Sequence, residues 1–198
     1  MEGEAVVATL RCKVAVCGAS GVGKTALINC LVNGGKAALR TKKLTSGVEV
    51  TVFPVRLPHA PVVVELFLFD TSGDPLYWDL IPQYWNGVNN AVLVYDASDL
   101  NTVQDCTKWY ELLLKLRQDK SERVHCVLVG NKSDCVQTLD TSVAERVARS
   151  WTEDEDVPIY QVASVSAGTN CEEPFMHIAT EFHRMYEEKL LQFEHQNR

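Results

Sequence analysis

Apolar and polar positions follow two rhythms along the chain, one with a period of two and one near three and a half. Residues 10–17 alternate Leu10, Cys12, Val14 and Val16 with Arg11, Lys13 and Ala15, which predicts a strand. The strand runs straight into a glycine loop, and helical spacing starts near Lys24. Residues 48–55 alternate as well, with Val48, Val50 and Val52 on one face and Glu49 and Thr51 on the other. Pro54 lies near the end of that stretch and has no N–H for a ladder, so the strand is expected at a sheet edge. The next strand, 62–69, is apolar almost throughout except for Glu65, which predicts a central strand covered on both faces. Only Leu57-Pro58-His59-Ala60-Pro61 joins the two. Such a link is too short for a helical crossover, so the pair is expected to be antiparallel.

Further strands are predicted at 91–95, 124–130 and 158–163, with helices at 75–85, 102–117 and 141–151 between them. A last helix reads from 172 to about 195. Six strands, one of them an antiparallel edge, with helices on both faces, make a doubly wound α/β sheet, mostly parallel. Ligands of such a sheet belong at the carboxyl ends of its strands.

Composition narrows the function. With 198 residues and 46% hydrophobic residues the chain suffices for one domain with a real core. A formal net charge of −7 argues against nonspecific nucleic-acid binding. No apolar run approaches bilayer length. The acidic start, Met1-Glu2-Gly3-Glu4, lacks a basic-then-apolar signal pattern, and seven cysteines without metal-ligand spacing read as reduced thiols. A cytoplasmic protein is the expectation. It lacks a cysteine near its end for a prenyl group and a glycine at position 2 for myristate, so a partner would have to bring it to any membrane.

Three motifs carry the chemistry. Gly18-Ala19-Ser20-Gly21-Val22-Gly23-Lys24-Thr25 fits G-x-x-x-x-G-K-[ST] and sits between a predicted strand and a predicted helix. Glycines let the backbone curl so that successive N–H groups face phosphates, Lys24 supplies a charge to the β/γ-phosphates, and the Thr25 hydroxyl can ligate Mg²⁺. Ser20 through Ala26, meaning Ser20, Gly21, Val22, Gly23, Lys24, Thr25 and Ala26, are the candidate phosphate contacts. A chance glycine-rich turn is the alternative. Asn131-Lys132-Ser133-Asp134 closes an apolar strand. Its Asp134 carboxylate can accept from both N1–H and the 2-amino group of guanine, which adenine does not offer there. Asn131 can meet the base and the glycine loop, and the Lys132 stem can lie along the ring. The plain alternative is a solvated turn. Asp70-Thr71-Ser72-Gly73 closes another strand. Asp70 can hold Mg²⁺, through water, and the Gly73 N–H can reach a γ-phosphate. An Asx turn is the competing reading. Thr45, in the polar stretch before the edge strand, could complete the Mg²⁺ coordination.

These elements, in this order and spacing, resemble the Ras superfamily of small GTPases and its Rab-like branch. Thr45-Ser46-Gly47-Val48-Glu49-Val50 is similar to the end of Rab switch I, and Val94-Tyr95-Asp96 to the strand after switch II. The resemblance implies a P-loop small-GTPase fold over residues 10–186, an N-terminal extension over 1–9, and GTP or GDP with Mg²⁺ as ligands. Gln83-Tyr84-Trp85-Asn86-Gly87-Val88, Val64 to Leu68, and the final helix are similar to the Rab-like family of the intraflagellar transport B complex. That narrower resemblance implies a heterodimer with intraflagellar transport protein 25, a β-sandwich subunit. It also implies contacts with other B-complex subunits and work in the cilium or flagellum and at the basal body.

The same resemblance exposes departures. The water-orienting glutamine of Ras-type enzymes falls at Asp74, followed by Pro75. That pair also reads as a helix N-cap with proline at the first helical position. The base-edge Ser-Ala pair falls on Ala163-Ser164, with a literal Ser166-Ala167 as the other register. No aromatic residue occurs between Lys24 and Phe53 to brace the base. Hydrolysis is therefore expected to be slow and the nucleotide weakly held. In the final helix, Phe175, Ile178, Ala179 and Phe182 repeat as a core stripe should. The stripe continues through Met185, Tyr186, Leu190, Leu191 and Phe193, past the point where one domain can cover it. Residues 187–198 are expected to extend the helix as a partner-binding surface. Three readings remain: a nucleotide switch in a transport complex, a structural subunit in which nucleotide only stabilises the fold, and, more remotely, a nucleotide kinase.

Overall fold

A computed structural model describes residues 8–36, 44–88, 90–117, 124–137, 140–152, 157–163 and 170–196. Strand β1 (Ala8–Cys17) leads into helix α1 (Lys24–Val32), and β2 (Val48–Arg56) and β3 (Val62–Thr71) follow. Then come a 3₁₀ segment (Pro75–Leu80), α2 (Ile81–Tyr84), β4 (Asn90–Asp96), α3 (Asn101–Leu116) and β5 (His125–Asn131). A short 3₁₀ turn (Ser133–Cys135), α4 (Ser142–Arg149), β6 (Ile159–Gln161) and α5 (Glu173–Gln196) complete the order.

The strands form one sheet in the order β2-β3-β1-β4-β5-β6. Only β2 runs against its neighbour, in a hairpin whose register sets Pro54 opposite Glu65 on the outer edge. The edge position follows from the missing proline N–H. The other pairs are parallel. Alternation of the parallel strands splits the core in two. Val14, Val16, Leu66, Leu68, Val92 and Val94 point to the face covered by α1 and α5. Ala15, Cys17, Phe69, Leu93 and Tyr95 point to the face covered by α2, α3 and α4. Among the described residues, no helix is long and apolar enough to cross a membrane.

Two expectations need correction. Strand β3 is central, but only its α1/α5 face is sealed from Val64 onward. Val63, Glu65 and Phe67, on the other face, are half-buried. The reason is that on this face α3 packs over β4 rather than over the β2–β3 edge. There Glu65 pairs with Arg11 across the sheet at 3.3 Å, and Val50 and Val52 of β2 stay exposed. The helix expected at 75–85 is instead a 3₁₀ segment followed by one turn of α-helix. An α-helix there would need an N–H from Pro82 to reach the Trp78 carbonyl, and proline has none. The Ile81 N–H takes that carbonyl instead, which is the tighter 3₁₀ pattern.

Candidate functional site

The three motifs lie at the carboxyl ends of β1, β3 and β5, and Thr45 lies just before β2. The parallel register of β1 and β3 places Val16 opposite Asp70. The register of β4 and β5 places Asp96 opposite Asn131. The glycine loop leaves β1 where the neighbouring connections diverge to the two faces, the crevice expected of a doubly wound sheet.

Backbone geometry explains the loop's glycines. At Gly18, φ is 147° and a Cβ would sit 2.0 Å from the Val94 carbonyl oxygen. At Gly23, the residue before α1, φ is 98°. The loop therefore folds flat onto β4 and turns its amides outward at the positive end of α1. Gly73 makes the second close approach. A Cβ there would lie 2.3 Å from the Ser20 nitrogen, so the Asp70–Gly73 segment rests directly on the loop.

The three expected metal ligands are brought together from three elements. The Thr25 hydroxyl donates to Asp70 Oδ2 at 2.5 Å, and the Thr25 and Thr45 hydroxyl oxygens are 2.8 Å apart. Thr45 Oγ1 also lies 3.4 Å from Asp70 Oδ2. The segment carrying Thr45 is pinned by the Ser72 N–H, which donates to the Gly47 carbonyl at 2.8 Å. Asp70 is buried, and its Oδ1 has no hydrogen-bond partner. A buried carboxylate oxygen without a donor fits a hard cation with oxygen ligands, as Mg²⁺ requires. Burial pushes the Asp70 carboxyl above the usual carboxylate range; the Thr25 hydroxyl and the Lys24 charge oppose that only in part. Lys24 is buried too, and burial holds its ammonium below the ordinary lysine value despite Asp70 nearby. Its Nζ donates to the Gly18 and Ala19 carbonyls at 3.0 and 2.8 Å, inside the curve of the loop.

The base-reading motif is tied to the same loop. Asn131 is fully buried, and its Nδ2 donates to the Val22 carbonyl at 2.9 Å. Ser133 N–H donates to the Val162 carbonyl, which fastens the 3₁₀ turn to the end of β6 beside Ala163. Asp134 stands exposed on that turn. Ala163 is buried, whereas Ser164 and the alternative pair at 166–167 lie outside the described residues. Sequence reasoning missed Asp96. Its carboxylate pairs with the Lys132 ammonium at 2.5 Å and accepts from the Ser98 hydroxyl and amide. Burial pushes the Asp96 carboxyl up, but Lys132 and Ser98 outweigh it and hold the group below the usual range. Lys132 itself adopts φ 61°, a left-handed backbone rare outside glycine. An acidic residue at the carboxyl end of β4 was the available signal.

Asp74 takes the capping role that the sequence offered for it. Its carboxylate accepts from the Leu76 N–H at 2.9 Å with Pro75 at the first helical position, so it caps the 3₁₀ segment. In the first turns of α5, Phe175, Ile178 and Ala179 are buried as core. Met185 is half-buried, while Tyr186, Leu190, Leu191 and Phe193 are exposed, Phe193 by 65%.

The Ras family model matches residues 13–184. Intraflagellar transport protein 27 of Chlamydomonas reinhardtii is 42% identical over 189 residues, 96% of this chain and 92% of its own length. The intraflagellar transport protein 27 homolog of Bos taurus is 34% identical, covering 93% of this chain and 97% of its own. Ras-related protein RABG3e of Arabidopsis thaliana is 31% identical, covering 89% of this chain and 84% of its own.

The charge of Asp70 sets a pH signature for the metal site. Mg²⁺ binding needs the carboxylate, and a carboxyl pushed up by burial keeps its proton to higher pH than an ordinary one. Mg²⁺ affinity, followed by fluorescent-nucleotide titration, is expected to fall on acidification before exposed carboxylates titrate. Asp70→Asn is expected to lower it at least about ten-fold at neutral pH and to flatten the pH profile. An unchanged profile in the variant would show that another group titrates.

Proposed function

The chain belongs to the Ras family and, within it, to the group of intraflagellar transport protein 27 and its homologues, and from that membership we propose that it is a Rab-like guanine-nucleotide switch of the intraflagellar transport B complex. Guanine nucleotides are the ligands of the family. In this proposal Mg²⁺ is held by Thr25, Thr45 and Asp70, whose convergence is the observation that carries the reading. When bound, the ion neutralises charge on the β- and γ-phosphates. The chain's own groups do the rest. Loop amides from Ser20 to Ala26 hold the phosphates, Lys24 adds a fixed charge once it turns from the Gly18 and Ala19 carbonyls, and Asn131 braces the loop against the base pocket. Asp134 reads the guanine edge, with the Lys132 stem along the ring and its ammonium anchored on Asp96. Ala163 and Ser164 supply the backbone at the base oxygen.

Hydrolysis is slow in this proposal, because Asp74 is shorter than glutamine, carries a charge repelled by phosphate, and is occupied in capping. The partner is intraflagellar transport protein 25, and the site of action is the cilium or flagellum and basal body. The exposed apolar side chains of α5 supply the surface. A free helix end rarely keeps a row of large apolar residues, whereas an interface buries them. The second reading, a structural subunit in which nucleotide only supports the fold, draws on the same Asp74 cap. Partner affinity compared between GDP and a GTP analogue separates the two.

Three outcomes are expected. Titration should give GTP and GDP affinities far above that for ATP. Asp134→Asn should cost GTP binding about 10- to 100-fold, as loss of charged hydrogen bonds does, and shift preference to xanthine nucleotides; equal ATP and GTP binding by the wild type would refute the assignment. In single-turnover assays the wild type should hydrolyse GTP no faster than the order of 10⁻⁴ per second known for unaided Ras. Asp74→Gln should raise that rate, and a wild type far above the order would count against the capping argument. Removing residues after Arg184 should weaken the heterodimer and leave nucleotide binding intact, measured by co-purification and titration; undiminished association would place the interface elsewhere.

A further inference from the structure

Six of the seven cysteines are buried, and two of them meet. Cys30, in the last two turns of α1, and Cys171, two residues before α5, have their sulfurs 2.8 Å apart. Both are fully enclosed in the core on the α1/α5 face. Non-bonded carbon atoms pack at about 3.5–4.0 Å, and sulfur is larger than carbon. The pair is therefore nearer to a covalent bond, at about 2.05 Å, than two packed thiols are. A shared metal does not explain the approach. Two thiolates on a tetrahedral zinc stand about 3.8 Å apart, given Zn–S bonds of about 2.3 Å. No group of three potential ligands is found among the described residues.

We propose that Cys30 and Cys171 form a reversible disulfide that locks α1 to the start of α5, with a peroxide as the oxidant. One thiol, deprotonated, attacks the peroxide; its sulfur becomes a sulfenic acid and one water leaves. The second sulfur then displaces the hydroxyl of that sulfenic acid, its proton departing with the second water. Two S–H bonds are lost, one S–S bond forms, and the peroxide is reduced to two waters. A small oxidant suits sulfurs that have no exposed surface. Burial and the adjacent Cys30 thiol push Cys171 up to about 12. Cys171 therefore keeps its proton more tightly than an exposed thiol, which makes the oxidation slow.

The lock bears on the nucleotide, and this consequence rests on the function proposed above. Helix α1 opens with Lys24 and Thr25 at the phosphate loop, and Cys171 ends the connection that leaves the base pocket at Ala163. The bond joins residues 141 apart in sequence, so it ties α1, which opens at the phosphate loop, to the start of α5. Nucleotide release that requires the two to separate is slowed.

The test uses the full chain loaded with GDP and treated with hydrogen peroxide. Peptide mapping without reduction should show the Cys30–Cys171 link. Two of the seven thiols should be lost on titration in denaturant and regained with dithiothreitol. The melting midpoint should rise by about 5 °C or more, as closure of a long loop predicts. Release of fluorescent GDP should slow at least about three-fold, and Cys171→Ser should show neither change. Oxidation confined to the exposed Cys135, or links joining other cysteines, would overturn the disulfide. A mapped link with unchanged release would overturn its control of the nucleotide. Should Cys171→Ser fold poorly, the wild-type map before and after dithiothreitol decides the first point alone. Failure of the chain to bind GDP at all would count against the proposed function, and the map would still report on the bond.

Discussion

The parallel pairing of β1 with β3 is the constraint on which the site depends. It runs in unbroken register from Ala8 opposite Val62 to Val16 opposite Asp70. A slip of one residue would turn Val14 and Val16, now facing α1 and α5, toward the other helices. The same slip would carry Asp70 away from Thr25. Because both strands are buried over their second halves, the register is held by core packing on two faces at once. The glycine loop and the Asp70–Gly73 segment are thus delivered to one place by the hydrophobic effect.

At that place the polar groups are held at a cost. Lys24 and Asp70 are both buried, and burial disfavours the charged form of each. Their mutual attraction offsets only part of this. Lys24 meanwhile rests on two carbonyls of its own loop, and one oxygen of Asp70 has no partner. Such an arrangement is completed by an anion and a cation rather than by more protein. The base-reading side is built differently. Asn131 joins the Val22 carbonyl, and Lys132 joins Asp96, so the motif is braced by contacts internal to the fold. In the proposed function, ligand charge completes the phosphate side, whereas contacts internal to the fold brace the base side.

The segment after Gly73 and helix α5 carry the departures from the family pattern. Pro82 breaks what would be one helix into a 3₁₀ segment and a single α turn, and Asp74 with Pro75 is consumed in starting it. Leu76, Trp78 and Leu80 are left exposed along that segment. Helix α5 buries its first half against the sheet and then runs on with apolar side chains in solvent. Cys30 and Cys171 meet beneath the start of the same helix.

Much of this was legible in the residues themselves. Alternating stretches located β1 and β2, short apolar runs located the other four strands, Pro54 placed β2 at the edge, and the five-residue link made its pairing antiparallel. The motifs named Thr25, Thr45 and Asp70 as a group, because phosphate and metal chemistry demand particular side chains at particular strand ends. The Asp74-Pro75 cap was legible too, since capping is local chemistry between neighbours in sequence. What the tertiary structure alone decided were contacts between residues far apart in the chain. Among these are the Lys132–Asp96 pair, the rest of Gly73 on Ser20, the meeting of Cys30 with Cys171, and the half-buried outer face of β3. Local pattern encodes which side chains turn inward. Which of them then touch is set by how the buried faces pack, and no single stretch of sequence contains that information.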